Sequence, residues 1–482
     1  MLRGAGVLLH VSSLPGPHGV GDMGPSAYRL VDFLHEAGQT YWQVLPLNPV
    51  LPEYDNSPYS SISSFAGEPA YINLELLVEQ GVLASMPSAE FGRGHADYAA
   101  ARMYKLKVLQ NAKRPEDLDE FVAENEWWLE DYSLYVALRE YFGTPWVQWP
   151  RGLRDRDEAE LRRWRRKLRR RIELEELLQY FFWRQWRGLK EYANSRGVFI
   201  IGDLPIYLSL DSADVWAHRR LFKLNEDGSP RYVAGVPPDY FSPTGQLWGN
   251  PVYDWDTMRA EGYGWWLKRL KYLLAAFDYI RLDHFRGYAA YWEVPAGEQT
   301  AVNGRWVPAP GRELFEKALS ELGELKIIAE DLGYITPDVV ELREQFGFPG
   351  MRVIQFAWDG NPANEHKPHN YVKNLVVYTG THDNNTIVGW FNYEASPRAR
   401  REALEYMGRR SLKDVNWAFI RLVYSSVADV AIVPIQDFLG LGPEARMNKP
   451  GTRGGNWTWR LAELPGKELA GRMRRLARLY GR

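Results

Sequence analysis

Acidic side chains stand directly after several short apolar segments of this sequence. These acids are Asp203, Asp283, Glu330 with Asp331, Asp383 and Asp437. An aspartate after a strand often caps the next helix or fixes a turn, so each one alone has a structural explanation. If the segments are strands of one parallel barrel, however, their ends converge on one cavity, where carboxylates act as nucleophile or acid/base.

The segment "YIRLDHF" puts an arginine and an aspartate on the same face of a strand. Side chains alternate with a period of two, so Arg281 and Asp283 share the face opposite Ile280 and Leu282. A buried structural ion pair would explain this pattern, although such a pair adds little net stability compared with apolar residues. A cation at about 4 Å, worth up to about 4 kcal/mol at an effective dielectric near 20, keeps the carboxylate ionised. We therefore predict that Asp283 is a nucleophile.

Glu330 and Asp383 complete a set of three carboxylates. Glu330 has no basic neighbour in sequence, so like charges and desolvation in a shared cavity would raise its pKa and make it the proton carrier. Asp383 follows His382 in "TGTHDNNT", and this pair could hold sugar hydroxyls. A nucleophile, an acid/base and a stabilising carboxylate are the groups that retaining glycoside chemistry uses.

Three other kinds of site could also use such residues: a metal site, a phosphate-binding loop and a nucleic-acid surface. A metal site is the main alternative for acids beside histidines, but these strand ends show no His-x-x-x-His pair and no Asp-x-Asp pattern. No glycine-rich phosphate loop follows a strand either. The basic run "RRWRRKLRRR" at 162–171 invites a nucleic-acid interpretation, but flanking glutamates favour a solvated helix with ion pairs. We expect no metal, no cofactor and no nucleic-acid partner.

The composition indicates a globular protein with an unusual aromatic content. The 482 residues carry a formal net charge of -2, and the chain has no cysteine, which excludes disulfides and thiolate chemistry. The apolar run near the N-terminus is too short for a signal peptide or a membrane span. We expect a soluble, cytoplasmic protein that acts as a monomer. The 20 Trp and 28 Tyr suit sugar stacking, although a large core also uses such rings.

Eight apolar segments recur along the chain, and most do not alternate at their centres, as expected of strands covered on both faces. Helical patterns separate them at 25–38, 255–276, 312–323, 337–347 and 396–426. This order predicts an α/β fold, a (β/α)₈ TIM barrel. The eight segments are 6–15, 41–49, 197–207, 277–285, 326–333, 351–358, 374–383 and 427–440.

Two stretches are too long to be ordinary βα loops. Residues 50–195 have helical patterns in their middle and are predicted to form an inserted, mainly helical subdomain. Residues 208–254 are rich in Pro, Gly and aromatics and are predicted to be an ordered, loop-rich cover. The whole chain, 1–482, would thus be one catalytic barrel domain with two insertions. About 40 residues follow the last predicted strand, so no C-terminal β-sandwich is expected.

The strand-end motifs resemble those of the amylomaltases, the 4-α-glucanotransferases of glycoside hydrolase family 77. The similarity rests on "IGDLPIY", "YIRLDHFRGY", "IIAEDLG" and "YTGTHDNNT", and continues through "HVSSLPGPHGVGDMG", "SPYSS", "VPPDYFSPTGQLWGNPVYDW" and "MNKPGT…NW". It extends from position 6 to about 460. Enzymes of the wider α-amylase group commonly end the third strand in Asn-His, whereas this sequence has "DLPIY", which favours the glucanotransferase.

The resemblance implies a role for each matching residue. Asp283 would be the nucleophile, Glu330 the acid/base and Asp383 the transition-state stabiliser. The remaining residues would bind the glucan in the donor subsite, on the covering loop of the acceptor side, or near the groove. They are, for the donor subsite, Arg281, His284, His382 and Tyr59; for the acceptor side, Tyr240, Phe241, Gln246 and Trp248; and, near the groove, Asn456 and Trp457.

The activity implied is transfer of α-1,4-glucan segments to the 4-hydroxyl of another glucan or of glucose, with maltooligosaccharides as substrates. Three alternatives stay open at this stage. An α-1,4-glucan hydrolase of the α-amylase type would use the same acids, a glucan-binding protein would use none of them for chemistry, and a metal-dependent barrel hydrolase would lose activity in EDTA.

Overall fold

The structure is a computed structural model that describes residues 1–239, 242–411 and 413–482. Within these residues twelve β-strands occur, and they belong to two sheets. The strands are β1 (Gly4–Leu8), β2 (Tyr41–Gln43), β3 (Phe199–Leu204), β4 (Tyr232–Val236), β5 (Gln246–Pro251), β6 (Tyr279–Leu282), β7 (Ala290–Pro295), β8 (Arg305–Pro308), β9 (Ile327–Ala329), β10 (Gly350–Val353), β11 (Leu375–Tyr378) and β12 (Val430–Pro434).

Eight of these strands form a parallel barrel. Their order is β10-β11-β12-β1-β2-β3-β6-β9, and every pair in it is parallel. The two outer strands of this order also approach each other, because the N–H of Ala329 donates to the carbonyl of Pro349 at 2.9 Å. Each of the eight predicted segments overlaps one of these strands, so the predicted barrel is confirmed.

The barrel strands are buried on both faces. All residues of β1, β11 and β12 are buried, which explains why their sequences, such as "LVVY" and "VAIVP", are apolar without alternation. Side chains fill the inside, and the α-helices that follow the strands cover the outside. The barrel is therefore a packed core, and its chemistry is confined to the end where the strands finish.

Seventeen α-helices occur in the described residues, and most connect one barrel strand to the next. They are α1 (Pro25–Glu36), α2 (Leu74–Glu79), α3 (Tyr98–Leu109), α4 (Leu118–Phe142), α5 (Arg151–Arg154), α6 (Glu158–Lys167), α7 (Arg169–Ser195), α8 (Ala213–Ala217), α9 (Trp255–Ala260), α10 (Gly264–Ala276), α11 (Gly311–Leu322), α12 (Pro337–Gln345), α13 (Ile387–Gly389), α14 (Pro397–Tyr406), α15 (Val415–Tyr424), α16 (Ile435–Leu439) and α17 (Lys467–Leu479).

Two predicted helices are each divided in the structure. The segment 255–276 breaks between α9 and α10, where Gly262 and Tyr263 have φ of +64° and +59°. The segment 396–426 breaks after α14, where Gly408 has φ of +64°. A left-handed residue cannot continue a right-handed helix, so each glycine ends a pattern that the hydrophobic periodicity alone carries through.

The segment 50–195 contains α2 to α7, and its two longest helices, α4 and α7, pack against each other. The basic run at 162–171 lies on α6 and the start of α7. Its arginines meet acids, as between Arg163 and Glu160 at 3.4 Å and between Arg169 and Glu173 at 2.7 Å. The interpretation of this run as a helix with ion pairs is confirmed, while the division into a barrel with two subdomains stays a prediction.

A second, antiparallel sheet with the order β5-β4-β7-β8 was not predicted. Strands β4 and β5 lie in the stretch 208–254, which we expected to be loop-rich, and β7 and β8 follow β6. Glycine and proline interrupt these short strands, as in "YVAGV" and "QLWGNP", so no period of two is visible in the sequence. This sheet extends from the end of β6, where the predicted nucleophile lies.

The described residues after β12 are helical or irregular, and α17 packs against α1. A β-sandwich is therefore not formed by the described part of this C-terminal region. None of the helices in the described residues is long and apolar enough to cross a membrane.

Candidate active site

Arg281 lies between two carboxylates at the end of β6. The pairing of β3 with β6 makes Asp203 its neighbour, and Nη1 of Arg281 donates to both oxygens of Asp203 at 2.9 and 2.8 Å. Nη2 of Arg281 lies 3.0 Å from Oδ1 of Asp283. Although burial opposes a charge here, the two carboxylates raise the pKa of Arg281 and keep it cationic. The contact confirms that Arg281 and Asp283 share a face.

Backbone hydrogen bonds continue the barrel sheet beyond the ends of its strands. The N–H of Asp283 donates to the carbonyl of Leu204 at 3.0 Å, and the N–H of Glu330 donates to the carbonyl of Leu282 at 3.0 Å. The N–H of Phe285 in turn donates to the carbonyl of Glu330 at 3.0 Å. These bonds hold Asp283 and Glu330 side by side on hydrogen-bonded backbone, directly after the ends of the adjacent strands β6 and β9.

The carboxyl group of Glu330 accepts two backbone hydrogen bonds, from the N–H of His284 at 2.8 Å and from that of Leu332 at 2.9 Å. His284 has φ of +48°, a left-handed conformation that residues other than glycine rarely adopt. Burial, together with the charge of Asp283, raises the pKa of Glu330 to about 8, although Arg281 and the two N–H groups oppose this. Glu330 is therefore protonated at neutral pH and suited to donate a proton.

Asp383 is held as an anion by its neighbours. Nε2 of His382 lies 3.3 Å from its Oδ2, and Nδ2 of Asn448 donates to its Oδ1 at 2.6 Å. Burial acts to raise the pKa of Asp383, but the charge of His382 and the hydrogen bonds from His382 and Asn448 lower it to about 2. A fixed anion of this kind stabilises positive charge that develops beside it.

The ring of Tyr59 connects the two halves of this network. It stacks on His382 with a centroid separation of 4.9 Å and an interplanar angle of 17°, and its hydroxyl donates to Oδ2 of Asp203 at 2.7 Å. Trp457 lies 5.8 Å from both rings, measured between centroids. One face of the Tyr59 ring is therefore covered by His382. The hydroxyl of Tyr59 is held by Asp203, the carboxylate that pairs with Arg281.

The second sheet reaches the site through β5. The ring of Trp248 meets that of His284 edge to face, with centroids 4.8 Å apart, and its indole N–H donates to Oε1 of Gln246 at 3.2 Å. Burial lowers the pKa of His284 to about 4, so its imidazole is neutral at pH 7 and can donate one hydrogen bond and accept another. Trp248 itself is 38% exposed. An exposed indole thus stands next to the residue that follows Asp283.

Asn456 is occupied by contacts between two loops. Its Nδ2 donates to Oδ2 of Asp55 at 3.1 Å, and its Oδ1 accepts from the N–H of Lys449 at 2.9 Å. The side chain of Asn456 therefore fastens the loop after β12 to the loop that precedes Tyr59. Tyr240 and Phe241, two predicted binding residues, lie outside the residues that the structure describes.

Two other strand-end acids have structural partners instead. Asp331 accepts from the N–H of Met351 at 2.7 Å and pairs with two arginines of neighbouring elements. Asp437 accepts from the hydroxyl of Thr379 at 2.6 Å and from the N–H of Ile387 at 2.7 Å. The ordinary structural use of a strand-end aspartate therefore applies to these two, and Asp437 fixes both ends of the loop that carries Asp383.

Two residues that contact the predicted site were not among its predicted members: Asp203 and Asn448. Asp203 could be recognised as a strand-end acid, but its pairing with Arg281 depends on the register of β3 and β6. Asn448 belongs to the motif "MNKPGT…NW", from which the resemblance implied Asn456 and Trp457, and the ring of Trp457 lies near those of Tyr59 and His382. The motif was the right signal, and only the fold separates its members.

At this end of the barrel Arg281 pairs with the carboxylates of Asp203 and Asp283, and the imidazole of His382 contacts that of Asp383. Among the described residues, no three His, Asp or Glu side chains converge in an arrangement that would hold a metal ion. What the geometry offers is a protonated carboxyl group beside an arginine-paired carboxylate. That combination suits transfer at a sugar carbon, where one group gives a proton and the other attacks.

Comparisons with known proteins agree with this chemistry. The family model of 4-alpha-glucanotransferase, glycoside hydrolase family 77, matches residues 9–465. The 4-alpha-glucanotransferase of Aquifex aeolicus is 49% identical over 488 residues, which cover 100% of both chains. That of Thermus thermophilus is 47% identical over 98% of both chains.

Solved structures extend the comparison to the fold. An amylomaltase from Streptococcus agalactiae, solved in complex with acarbose, superimposes with a TM-score of 0.94 at 39% identity and covers 100% of this chain and 99% of that one. An amylomaltase from Corynebacterium glutamicum, at 19% identity, has the same fold with a TM-score of 0.77 over 100% of this chain and 75% of that one. The matches extend over nearly the whole chain, which belongs to the 4-alpha-glucanotransferase family, glycoside hydrolase family 77.

Proposed function

We propose that this protein is a 4-α-glucanotransferase that moves α-1,4-glucan segments to the 4-hydroxyl of an acceptor glucan or of glucose by a retaining double displacement. The observation that carries the proposal is the difference between two adjacent carboxyl groups. Glu330 keeps its proton at neutral pH because burial raises its pKa to about 8, whereas Asp283 is paired with Arg281 at 3.0 Å. One is prepared to act as an acid and the other as a nucleophile.

In the first half of the reaction, Glu330 gives its proton to the glycosidic oxygen of the donor while Oδ of Asp283 attacks the anomeric carbon. The bond to the departing glucan breaks, and a β-glucosyl ester of Asp283 forms. Asp383, with a pKa held near 2, stabilises the positive charge of the sugar ring in the transition state. The shortened glucan then leaves with the proton of Glu330.

In the second half, Glu330 takes the proton of an acceptor 4-hydroxyl as this oxygen attacks the ester. The bond to Asp283 breaks, the new α-1,4 linkage forms, and two inversions give net retention. Transfer requires the acceptor to react faster than water. Aromatic surfaces and a covering segment favour this by positioning the acceptor and excluding solvent.

The donor sugar is proposed to lie among Arg281, His284, His382 and Tyr59, and the acceptor beside Gln246 and Trp248 together with Tyr240 and Phe241. Support for a glucan substrate comes from the relatives, since the Streptococcus agalactiae amylomaltase was solved with acarbose. Asn456 is proposed to act near the groove by holding its loop. We also propose that the protein is a cytoplasmic monomer, for which light scattering would give a mass near 55.7 kDa.

Incubation with maltotriose tests the proposal. A glucanotransferase gives glucose together with a ladder of longer oligomers on thin-layer chromatography. An α-glucan hydrolase would give glucose and maltose without longer products, and a glucan-binding protein would leave maltotriose unchanged. EDTA should not alter the ladder, and loss of all products in EDTA would instead support a metal-dependent hydrolase.

A further inference from the structure

The loop that follows Glu330 presents one exposed aromatic ring. Residues 331–336 connect β9 to α12, and Tyr334 is 69% exposed, whereas Asp331 in the same loop is buried. A single exposed aromatic side chain is common on protein surfaces and does not by itself indicate a function. Tyr334 differs from such a residue because hydrogen bonds from a buried arginine hold its loop in place.

Arg286 clamps the loop from the side of the second sheet. Its guanidinium donates to the carbonyl of Tyr334 at 3.3 Å and to the hydroxyl of Thr336 at 2.6 Å. The same group lies over the ring of Trp306, in β8, at 4.0 Å from the centroid, and 5.5 Å from the centroid of Tyr334. A buried arginine therefore fixes the backbone that carries Tyr334 and lies between two aromatic rings. The ring of Tyr334 is thus exposed to solvent on a loop whose backbone is held by Arg286.

The chain limits how far this ring can be from the reacting atoms. Tyr334 lies four positions after Glu330, and an extended chain over four positions spans at most about 14 Å. In the proposed reaction, Glu330 protonates the oxygen of the departing glucan and later takes the proton of the acceptor hydroxyl that replaces it, while Asp383, His382 and Tyr59 surround the donor sugar. The loop that leaves from Glu330 therefore lies within a few glucosyl units of the bond that is cut.

We infer that Tyr334 is a platform on which an α-1,4-glucan acceptor stacks beyond its first glucosyl unit, and that it sets the preference for longer acceptors. An aromatic ring offers an apolar face to the C–H face of a sugar, and a backbone that is already held in place lowers the entropy lost when the sugar binds. The role is one of specificity, since Tyr334 takes no part in bond making. The inference rests on the proposed function.

Acceptor kinetics with a glycosyl fluoride donor test this inference. With α-maltosyl fluoride the departing group is fluoride, so the acceptor side is free until glucose, maltose or maltotetraose is added. For Tyr334→Ala we expect the apparent KM for maltotetraose to rise about fivefold, while that for glucose stays unchanged. Tyr334→Phe keeps the stacking face and should behave as the unchanged protein does.

A matched control uses another exposed tyrosine. Tyr141, on α4, is 52% exposed and packs on Trp164 and Lys167, so Tyr141→Ala should leave all acceptor constants unchanged. Equal effects of Tyr334→Ala on glucose and maltotetraose, or no effect on either, would overturn the inference. Failure of the proposed function looks different, because the unchanged protein would then give no transfer product with any acceptor.

Discussion

Arg281 belongs to the proposed donor side of the site and Trp248 to the proposed acceptor side, and the two residues differ in how much water reaches them. Arg281 is 4% exposed and makes three contacts of 3.0 Å or less with carboxylate oxygens, whereas Trp248 is 38% exposed and makes one side-chain hydrogen bond of 3.2 Å. Tyr59 and His382 belong with Arg281, because their polar atoms are bound within the same network.

The difference follows from what each side is proposed to do. Around the donor sugar, charges must already be in place when the transition state forms, so they are buried and held by hydrogen bonds. On the acceptor side, glucans of different lengths must enter and leave, which aromatic surfaces permit because stacking tolerates variation in position. Changes on the donor side should therefore affect the chemical step, and changes on the acceptor side should affect the choice between acceptors and water.

The largest effect is expected for Asp283→Asn. Loss of the attacking oxygen should lower both transfer and hydrolysis by on the order of 10⁴-fold or more. The fold should persist, because Asp203 still pairs with Arg281. Initial rates with maltotriose and a thermal unfolding curve measure the two properties.

Asp278 provides the matched control for this substitution. It stands at the opposite end of the same strand, where it accepts from the N–H of Ile200 at 2.7 Å and from Asn194 at 2.9 Å. Asp278→Asn should cost about 1 kcal/mol of stability and leave the rate unchanged. Substantial activity in Asp283→Asn would show that another residue is the nucleophile.

Arg281→Met should be the most destabilising change. It removes the partner of a buried Asp203 and should lower the free energy of unfolding by about 3–5 kcal/mol. Burial already raises the pKa of Asp203 above its ordinary value of 3.8. Without Arg281 the pKa of folded Asp203 should rise further, so the deficit should grow with pH above the raised pKa that Asp203 has beside Arg281.

Urea unfolding of Arg281→Met at pH 5 and pH 8 measures this deficit. Adding Asp203→Asn to the variant removes the buried charge and should restore part of the stability at pH 8. A deficit that is independent of pH and unaffected by Asp203→Asn would mean that Arg281 contributes by packing alone.

The pH profile of the reaction should report Glu330. Because burial raises its pKa to about 8, kcat/KM for maltotriose should stay level below that pH and fall about tenfold for each unit above it. With α-maltosyl fluoride the departing group needs little protonation, so the fall should be absent. A fall with both donors would indicate unfolding or another titrating group.

The sequence was sufficient for the barrel and for the three carboxylates, because their signals are local. Apolar segments without alternation predict buried parallel strands, and the acids follow them directly, so an error of a few residues in a strand end does not move Asp283, Glu330 or Asp383 to another element. The contact between Arg281 and Asp283 was also predictable, since both belong to one strand with a period of two.

What could not be predicted depends on distant parts of the chain. The bond from Arg281 to Asp203 requires the register of two strands separated by 78 positions. The second sheet is hidden by the glycines and prolines of its short strands, and Tyr334 is an ordinary loop residue until Arg286 is seen to fix its backbone. Patterns in sequence therefore locate the proposed reacting groups better than the surfaces that are proposed to orient substrates.

The smallest effect is expected for Trp248→Ala, and it tests the acceptor side directly. Loss of the exposed indole should weaken acceptor positioning by about 1 kcal/mol, so the ratio of transfer to hydrolysis should fall about fivefold while donor consumption changes little. Maltotriose products measured by chromatography give this ratio. Trp127→Ala is a matched control, because Trp127 is 36% exposed and packs on Phe65 and Tyr272. An unchanged ratio in Trp248→Ala would mean that β5 only packs over the barrel, and the contrast between the two sides would then rest on Tyr334 alone.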